Sequence, residues 1–209
     1  KRFKIVLALI ATIIFISCDS DMDDISLSEL RIAGILRAEG TTTDSINFTI
    51  LSEDPKKEDW YGIRALYQSG SNRVFLKYCN IAYSKYGIHF TGNTNDDHTD
   101  TISVKNTQFP SVGTALLHNS SNDGDRTVYF NDNIVYSTAI DIASKVYYIE
   151  AKNNIIYDGH FRLYVYTDNN DHNYTNNNVI ISGNNFTFNS DYNSDAIYIS
   201  IQHQNNILN

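Results

Sequence analysis

Six positions of this chain sit at one phase of a recurring apolar alternation, and they hold Arg64, His89, Leu116, Asp141, Tyr164 and Tyr198. Their neighbours on both sides are apolar: Ile63 and Ala65, Ile88 and Phe90, Ala115 and Leu117, Ile140 and Ile142, Leu163 and Val165, Ile197 and Ile199. On a strand, successive side chains point to opposite faces, so the flanking set is expected inward and the six outward. Parallel stacking of these segments would bring Arg64 within about 5 Å of His89, and His89 within about 10 Å of Asp141. Arg64, His89 and Asp141 are the catalytic candidates, and Tyr164 and Tyr198 the binding candidates. Arginine pairs with a carboxylate, histidine or arginine accepts a proton, and aromatic rings stack on sugar faces, so the set suits a carbohydrate. Leu116 interrupts it as a catalytic constellation, which favours a binding face over an active centre.

The other polar concentrations are poorer in chemistry. Asn93 to Asp100, Asn119 to Asp125 and Asp168 to Asn173 read as long loops after the apolar segments. Asp96, Asp97 and Asp100 offer the hard oxygens that Ca²⁺ takes, but no bidentate Glu stands at calcium-loop spacing, and polar loop filler is the favoured reading. His98 and His172 are too isolated for zinc. Cys79 reads as a small half-buried residue of a turn, not a nucleophile. The chain shows no Gly-rich phosphate loop, no Gly-X-Ser-X-Gly elbow and no paired Glu. With five Glu in all, glycosidase chemistry would have to rest on Asp. No cofactor is required, and Ca²⁺ is the one metal its loops would suit.

What must position these residues is a repeat. Segments opening on Gly62, Gly87, Gly113, Thr138, Gly159 and Ala196 recur at offsets of about 25 residues. Between them lies a second unit, a short strand and an amide-bearing turn: Leu76 to Ile81, Val104 to Phe109, Tyr129 to Ile134, Glu150 to Ile155 and Ile181 to Phe186. Aligned so, Asn80, Gln108, Asn133, Asn154 and Asn185 form one column, an amide ladder from repeat to repeat, with Cys79 beside Thr107, Asp132, Asn153 and Asn184. The 25 Asn of the chain, 22 of them after residue 90, are in keeping with many tight turns. Ile32 to Ala38, Gly40 to Thr43 and Ile46 to Ile50 read as one degenerate first repeat, or Leu27 to Ala38 reads instead as a short helix capping the stack.

Short strands in repeats of this length resemble the right-handed parallel β-helix of the pectin-lyase-like group. Leu36-Arg37-Ala38-Glu39-Gly40-Thr41, the strand Ile46 to Ile50 and Trp60-Tyr61-Gly62-Ile63 look like the first coils of its secreted members. The resemblance implies an all-β solenoid of about 6–7 coils over residues 30–209. It further implies polysaccharide binding on a parallel strand face, with Ca²⁺ used by some members, but no particular activity, since the fold serves lyases, hydrolases, adhesins and spacers. The last residues, Gln202 to Asn209, read as the start of another turn, so a longer solenoid is expected.

The first eighteen residues have another purpose. Lys1, Arg2 and Lys4 precede an apolar run, Ile5 to Ile16, which as helix would span about 18 Å against a hydrocarbon core of about 30 Å. That is a signal peptide. Its end, Phe15-Ile16-Ser17-Cys18, resembles a bacterial lipobox, with Phe15 where Leu is preferred. The resemblance implies lipidation of Cys18. Residues 19–29, with Asp19, Asp21, Asp23 and Asp24, form an acidic tether that either is a solvated linker or resembles the export signal of some surface lipoproteins. A lipid anchor in the bacterial outer membrane, facing outward, is the expected location.

At 209 residues the chain fits one domain, and 42% hydrophobic residues can build a core. Its formal charge of −8, with every Lys and Arg at or before Arg162, opposes a nucleic-acid partner. The expectation is a cell-surface or secreted lipoprotein that interacts with polysaccharide or cell-surface glycans. The alternatives are a polysaccharide lyase or hydrolase, or a structural adhesin or spacer.

Overall fold

The computed structural model describes residues 27–66, 72–91, 100–120, 126–136, 138–144, 148–167, 178–188 and 197–203. Among them there are strands and turns and no helix. One parallel sheet has seven strands: Glu29–Ile32, Gly62–Leu66, Tyr86–Thr91, Thr114–Ser120, Ala139–Ser144, His160–Thr167 and Ile197–His203. The second has six: Ile35–Glu39, Arg73–Lys77, Asp100–Lys105, Arg126–Asn131, Tyr148–Lys152 and Asn178–Ser182. The third also has six: Ile46–Phe48, Cys79–Ile81, Gln108–Phe109, Ile134–Tyr136, Ile155–Tyr157 and Asn185–Thr187. The chain visits the sheets in rotation and stacks each strand on its counterpart from the round before. This all-β stack is compatible with a parallel β-helix.

Period-two alternation makes the strands and the core together. In Asp100–Lys105 buried residues alternate with partly exposed or exposed ones, Ile102 and Val104 pointing in. The register then lines up Val74, Ile102, Val128 and Ile149 in one file and Leu76, Val104, Phe130 and Ala151 in the next. Ile63, Ile88, Leu116, Ile140 and Phe161 form a file of the seven-stranded sheet. All are buried, and Phe109 and Phe130 stack with ring centres 5.7 Å apart across the interior. Each such side chain gains about 1.5–3 kcal/mol on burial, but only because neighbouring rounds cover it.

The structure decides one local alternative and corrects two expectations. Leu27 to Ala38 contains two strands and no capping helix: Leu30 pairs with Ile63 and Leu36 with Val74, and a bend at Gly34 (φ 120°) separates them. At the fourth strand of the large sheet the register shifts between Thr114 and Leu116, so Ala115 and Leu116 are both buried and Leu117, expected inward, is only half-buried. Ile197 pairs with buried Phe161 but is itself exposed; among the described residues no further strand of that sheet covers it. The side chains of Val165 and Ile199 are outside the described residues.

The amide file exists, one residue away from much of the expected column. The alignment that set Tyr129 and Glu150 opposite Leu76 is early by one, since Phe130 and Ala151 hold that place. The turn residues that share a position are therefore Cys79, Thr107, Asn133, Asn154 and Asn184. The Cys79 N–H donates to Thr107 Oγ1 at 3.4 Å, Thr107 N–H to Asn133 Oδ1 at 3.0 Å, Asn133 N–H to Asn154 Oδ1 at 3.0 Å and Asn154 N–H to Asn184 Oδ1 at 2.9 Å. The Nδ2 groups of Asn133, Asn154 and Asn184 donate to the carbonyls of Val104, Phe130 and Ala151 at 3.1, 2.8 and 2.9 Å. Asn80, Gln108 and Asn185 lie one residue beyond this file and face outward. The left-handed angle falls one residue before it, at Tyr78, Asn106, Asp132 and Asn153 (φ 49, 49, 56 and 54°) and at Gly183 (φ 65°).

Candidate functional site

Read through the register, the outward row of the seven-stranded sheet runs Arg31, Arg64, His89, Leu117, Asp141, Arg162 and Tyr198. Arg64, His89, Asp141 and Tyr198 lie in it. Leu117 stands where Leu116 was expected. Tyr164 is in register with Ala143 and Ser200, so the strand next to Asp141 presents Arg162 instead.

At the Arg64 end the strand starts bring aromatic residues into the row. Tyr61 Oη lies 2.6 Å from His89 Nδ1, and the Tyr86 ring centre is 4.6 Å from that of His89 and 5.1 Å from that of Tyr61. The Arg64 guanidinium sits 5.2 Å over the Tyr61 ring and the Lys85 ammonium 5.6 Å over the Tyr86 ring, both within cation–π range. This crowding needs Gly62, whose φ of 113° suits glycine and where a Cβ would come 1.6 Å from the Tyr86 carbonyl oxygen. Sequence reasoning passed over Tyr61, Lys85 and Tyr86. The signal was there: Tyr61-Gly62-Ile63 returns as Tyr86-Gly87-Ile88.

The electrostatics follow from burial and from the cations. Burial first, then Arg64 and Lys85, push the His89 pKa from 6.5 down to about 4, so the ring is neutral at pH 7. Burial also raises the Tyr61 pKa, against the lowering effect of Arg64. Glu29 takes an ion pair from Arg31 and reaches Arg64 Nη1 at 3.4 Å, while Arg64 Nε is buried with no hydrogen-bond partner among the described residues. Arg31, Arg64 and Lys85 against Glu29 leave this face positive on a chain of net charge −8. It can hold an anion, stack on a flat ring and offer an unprotonated imidazole.

Two other polar clusters pair internally. Asp141 receives Arg162 Nε and Nη2, each at 2.6 Å, a bidentate pair beyond Leu117. On the second sheet Glu150 accepts from Asn131 Nδ2 at 2.7 Å, Tyr148 Oη at 2.9 Å and Lys152 Nζ at 2.8 Å. These bonds, that of Lys152 foremost, hold its carboxyl below the usual range.

Cys79 is buried with Sγ 3.4 Å from the Ala38 carbonyl oxygen, and burial pushes its thiol up to about 11, away from thiolate chemistry. Its file neighbours are Thr107, Asn133, Asn154 and Asn184; the Asp132 and Asn153 expected there are the left-handed residues instead. Asp100 is buried and accepts the Asn72 N–H at 2.8 Å. Among the described residues no three His, Cys, Asp or Glu side chains converge as a metal cluster would. Cys18, Asp96, Asp97, His98 and His172 fall outside the described residues. No protein-family model, no curated protein and no solved structure matches this chain.

Proposed function

We propose that this chain is a right-handed parallel β-helix of the pectin-lyase-like kind, anchored by lipid on Cys18 to the bacterial outer membrane, that binds polysaccharide or cell-surface glycan on its seven-stranded sheet. The observation that carries the reading is the cluster of Arg64, Lys85, Tyr61, Tyr86 and His89. It joins cations for a sugar carboxylate to aromatic faces for the ring. The right-handed sense rests on the general rule for parallel crossovers. Affinity electrophoresis of the purified chain in gels cast with acidic and neutral polysaccharides tests it. Retardation by a uronate polymer, lost in Arg64→Ala, is the expected result. Migration unchanged in every gel would leave a structural spacer as the better description.

A second reading, polysaccharide lyase, draws on the contact between Tyr61 Oη and the neutral His89. In β-elimination a base removes the proton next to the uronate carboxylate, the double bond forms and the C–O bond to the leaving sugar breaks. His89 would take that proton, Arg64 would hold the carboxylate and Tyr61 would protonate the departing oxygen. Ultraviolet absorbance of an unsaturated product, abolished in His89→Ala, is the readout. Glycoside hydrolysis has less support, since Glu29 and Asp141 are each held by an arginine.

A further inference from the structure

We propose that the turn between the second and third sheets carries a separate site for an uncharged glycan, centred on Asn47, Asn80 and Gln108. In later rounds this turn is short: only Tyr78 stands between Lys77 and Cys79, and only Asn106 and Thr107 between Lys105 and Gln108. In the first round it runs from Gly40 to Ser45, between Glu39 and Ile46. The added residues fold against the next round. Gly40 N–H donates to the Lys77 carbonyl at 2.8 Å, Thr41 N–H to that of Asp44 at 3.0 Å and Ile46 N–H to that of Tyr78 at 3.1 Å. At Gly40 a Cβ would come 2.5 Å from the Tyr78 oxygen, so this approach requires glycine.

Beside this raised turn opens a groove of ≈ 570 Å³, whose lining includes Thr42, Ser45, Asn47, Asn80, Gln108 and Asp132. Asn47, Asn80 and Gln108 are in register on three consecutive strands of the third sheet, about 4.8 Å apart. Asn80 Nδ2 donates to Asn47 Oδ1 at 3.1 Å, and among the described residues Asn80 Oδ1 and Asn47 Nδ2 are left for an outside partner. Asp132 is the charged residue of the lining, and Lys105 Nζ lies 3.5 Å from its Oδ2. A row of carboxamides offers donors and acceptors without net charge, which fits successive hydroxyls of a sugar chain, and the ammonium beside it, that of Lys105, is already paired with Asp132. In this it differs from the Arg64 face, and neither site depends on the other.

Calorimetric titration of the full chain with cellohexaose, laminarihexaose, mannohexaose and xylohexaose tests the site. Binding of at least one is expected, weakened about tenfold in Asn80→Ala/Gln108→Ala and unchanged in Arg64→Ala. Both amides face outward, so the double variant should melt with the parent chain. If it melts early, Asn80→Asp and Gln108→Glu singly should show the same loss. No heat with any of the four, or binding indifferent to the amide variants, overturns the site; loss in Arg64→Ala alone would transfer the ligand to the sheet face. A uronate oligosaccharide titrated in parallel reads the Arg64 face independently.

Discussion

Asn133 and Arg64 are both polar residues of a repeating strand unit, and they end in opposite states. Asn133 is buried with its amide spent on backbone: Oδ1 takes the Thr107 N–H, Nδ2 gives to the Val104 carbonyl, and its own N–H goes to Asn154. Arg64 keeps a buried Nε without a hydrogen-bond partner among the described residues and reaches Glu29 only at 3.4 Å. In the amide file, side chains replace the ladder bonds that strands would make, and this closes the turn. On the sheet face, the strands already satisfy their own backbone, so the side chains are not needed to close it. Abundance of polar residues is thus no guide to function in this chain; what each one bonds to is.

Four measurements would break or sharpen that contrast. Asn133→Leu strips two buried backbone groups of their partners and should cost about 4 kcal/mol, lowering Tm by about 8–16 °C, while Arg64→Ala costs under about 1 kcal/mol. Equal melting of the two variants would erase the distinction. Next, Leu116→Ala should lose about 3 kcal/mol in urea titration and Leu117→Ala less than about 1, because the register shift buries only the first. The reverse ranking would restore the uninterrupted alternation.

The third concerns pH. With the folded pKa of His89 near 4 and the ordinary histidine value at 6.5, the unfolded chain binds a proton between these values that the folded chain does not. Stability should then fall as pH drops from 6.5 to 4, and His89→Gln should flatten the decline in Tm. Some slope remains in the variant, because burial also lowers the His160 pKa. An identical profile in both chains would show that His89 titrates normally. The smallest effect is Asp141→Asn, which breaks an ion pair whose arginine is 43% exposed and should cost about 1 kcal/mol or less, shrinking with added salt.

The strand unit and its outward row could be read from the chain because the apolar alternation survives around Arg64, His89 and Asp141. The errors occur where neighbours are interchangeable. Asn153-Asn154 and Asn184-Asn185 are amide pairs and Asp132-Asn133 a near-equivalent one, so either member fits a column, and the inner place was assigned correctly at Asn133 and Asn154 but not at Asn185. In Ala115-Leu116-Leu117 every residue is apolar, so polarity cannot reveal a register shift. Tyr61 and Tyr86 were missed because Tyr61 precedes its strand and Tyr86 opens the next one, both ahead of the alternation that identified the row.

The sequence by itself determined that short strands alternate, that glycines and amides punctuate them, and that Arg64 and His89 occupy equivalent positions one repeat apart. These follow from local chemistry: side-chain polarity, period two and tolerance of left-handed angles. Only the tertiary structure decided which amide of each pair turns inward, that Arg162 and not Tyr164 adjoins Asp141, that His89 is held neutral beside Tyr61, and that the long first turn walls a groove. Each of those depends on what the neighbouring round places about 4.8 Å away, and stacking, not residue type, sets that partner.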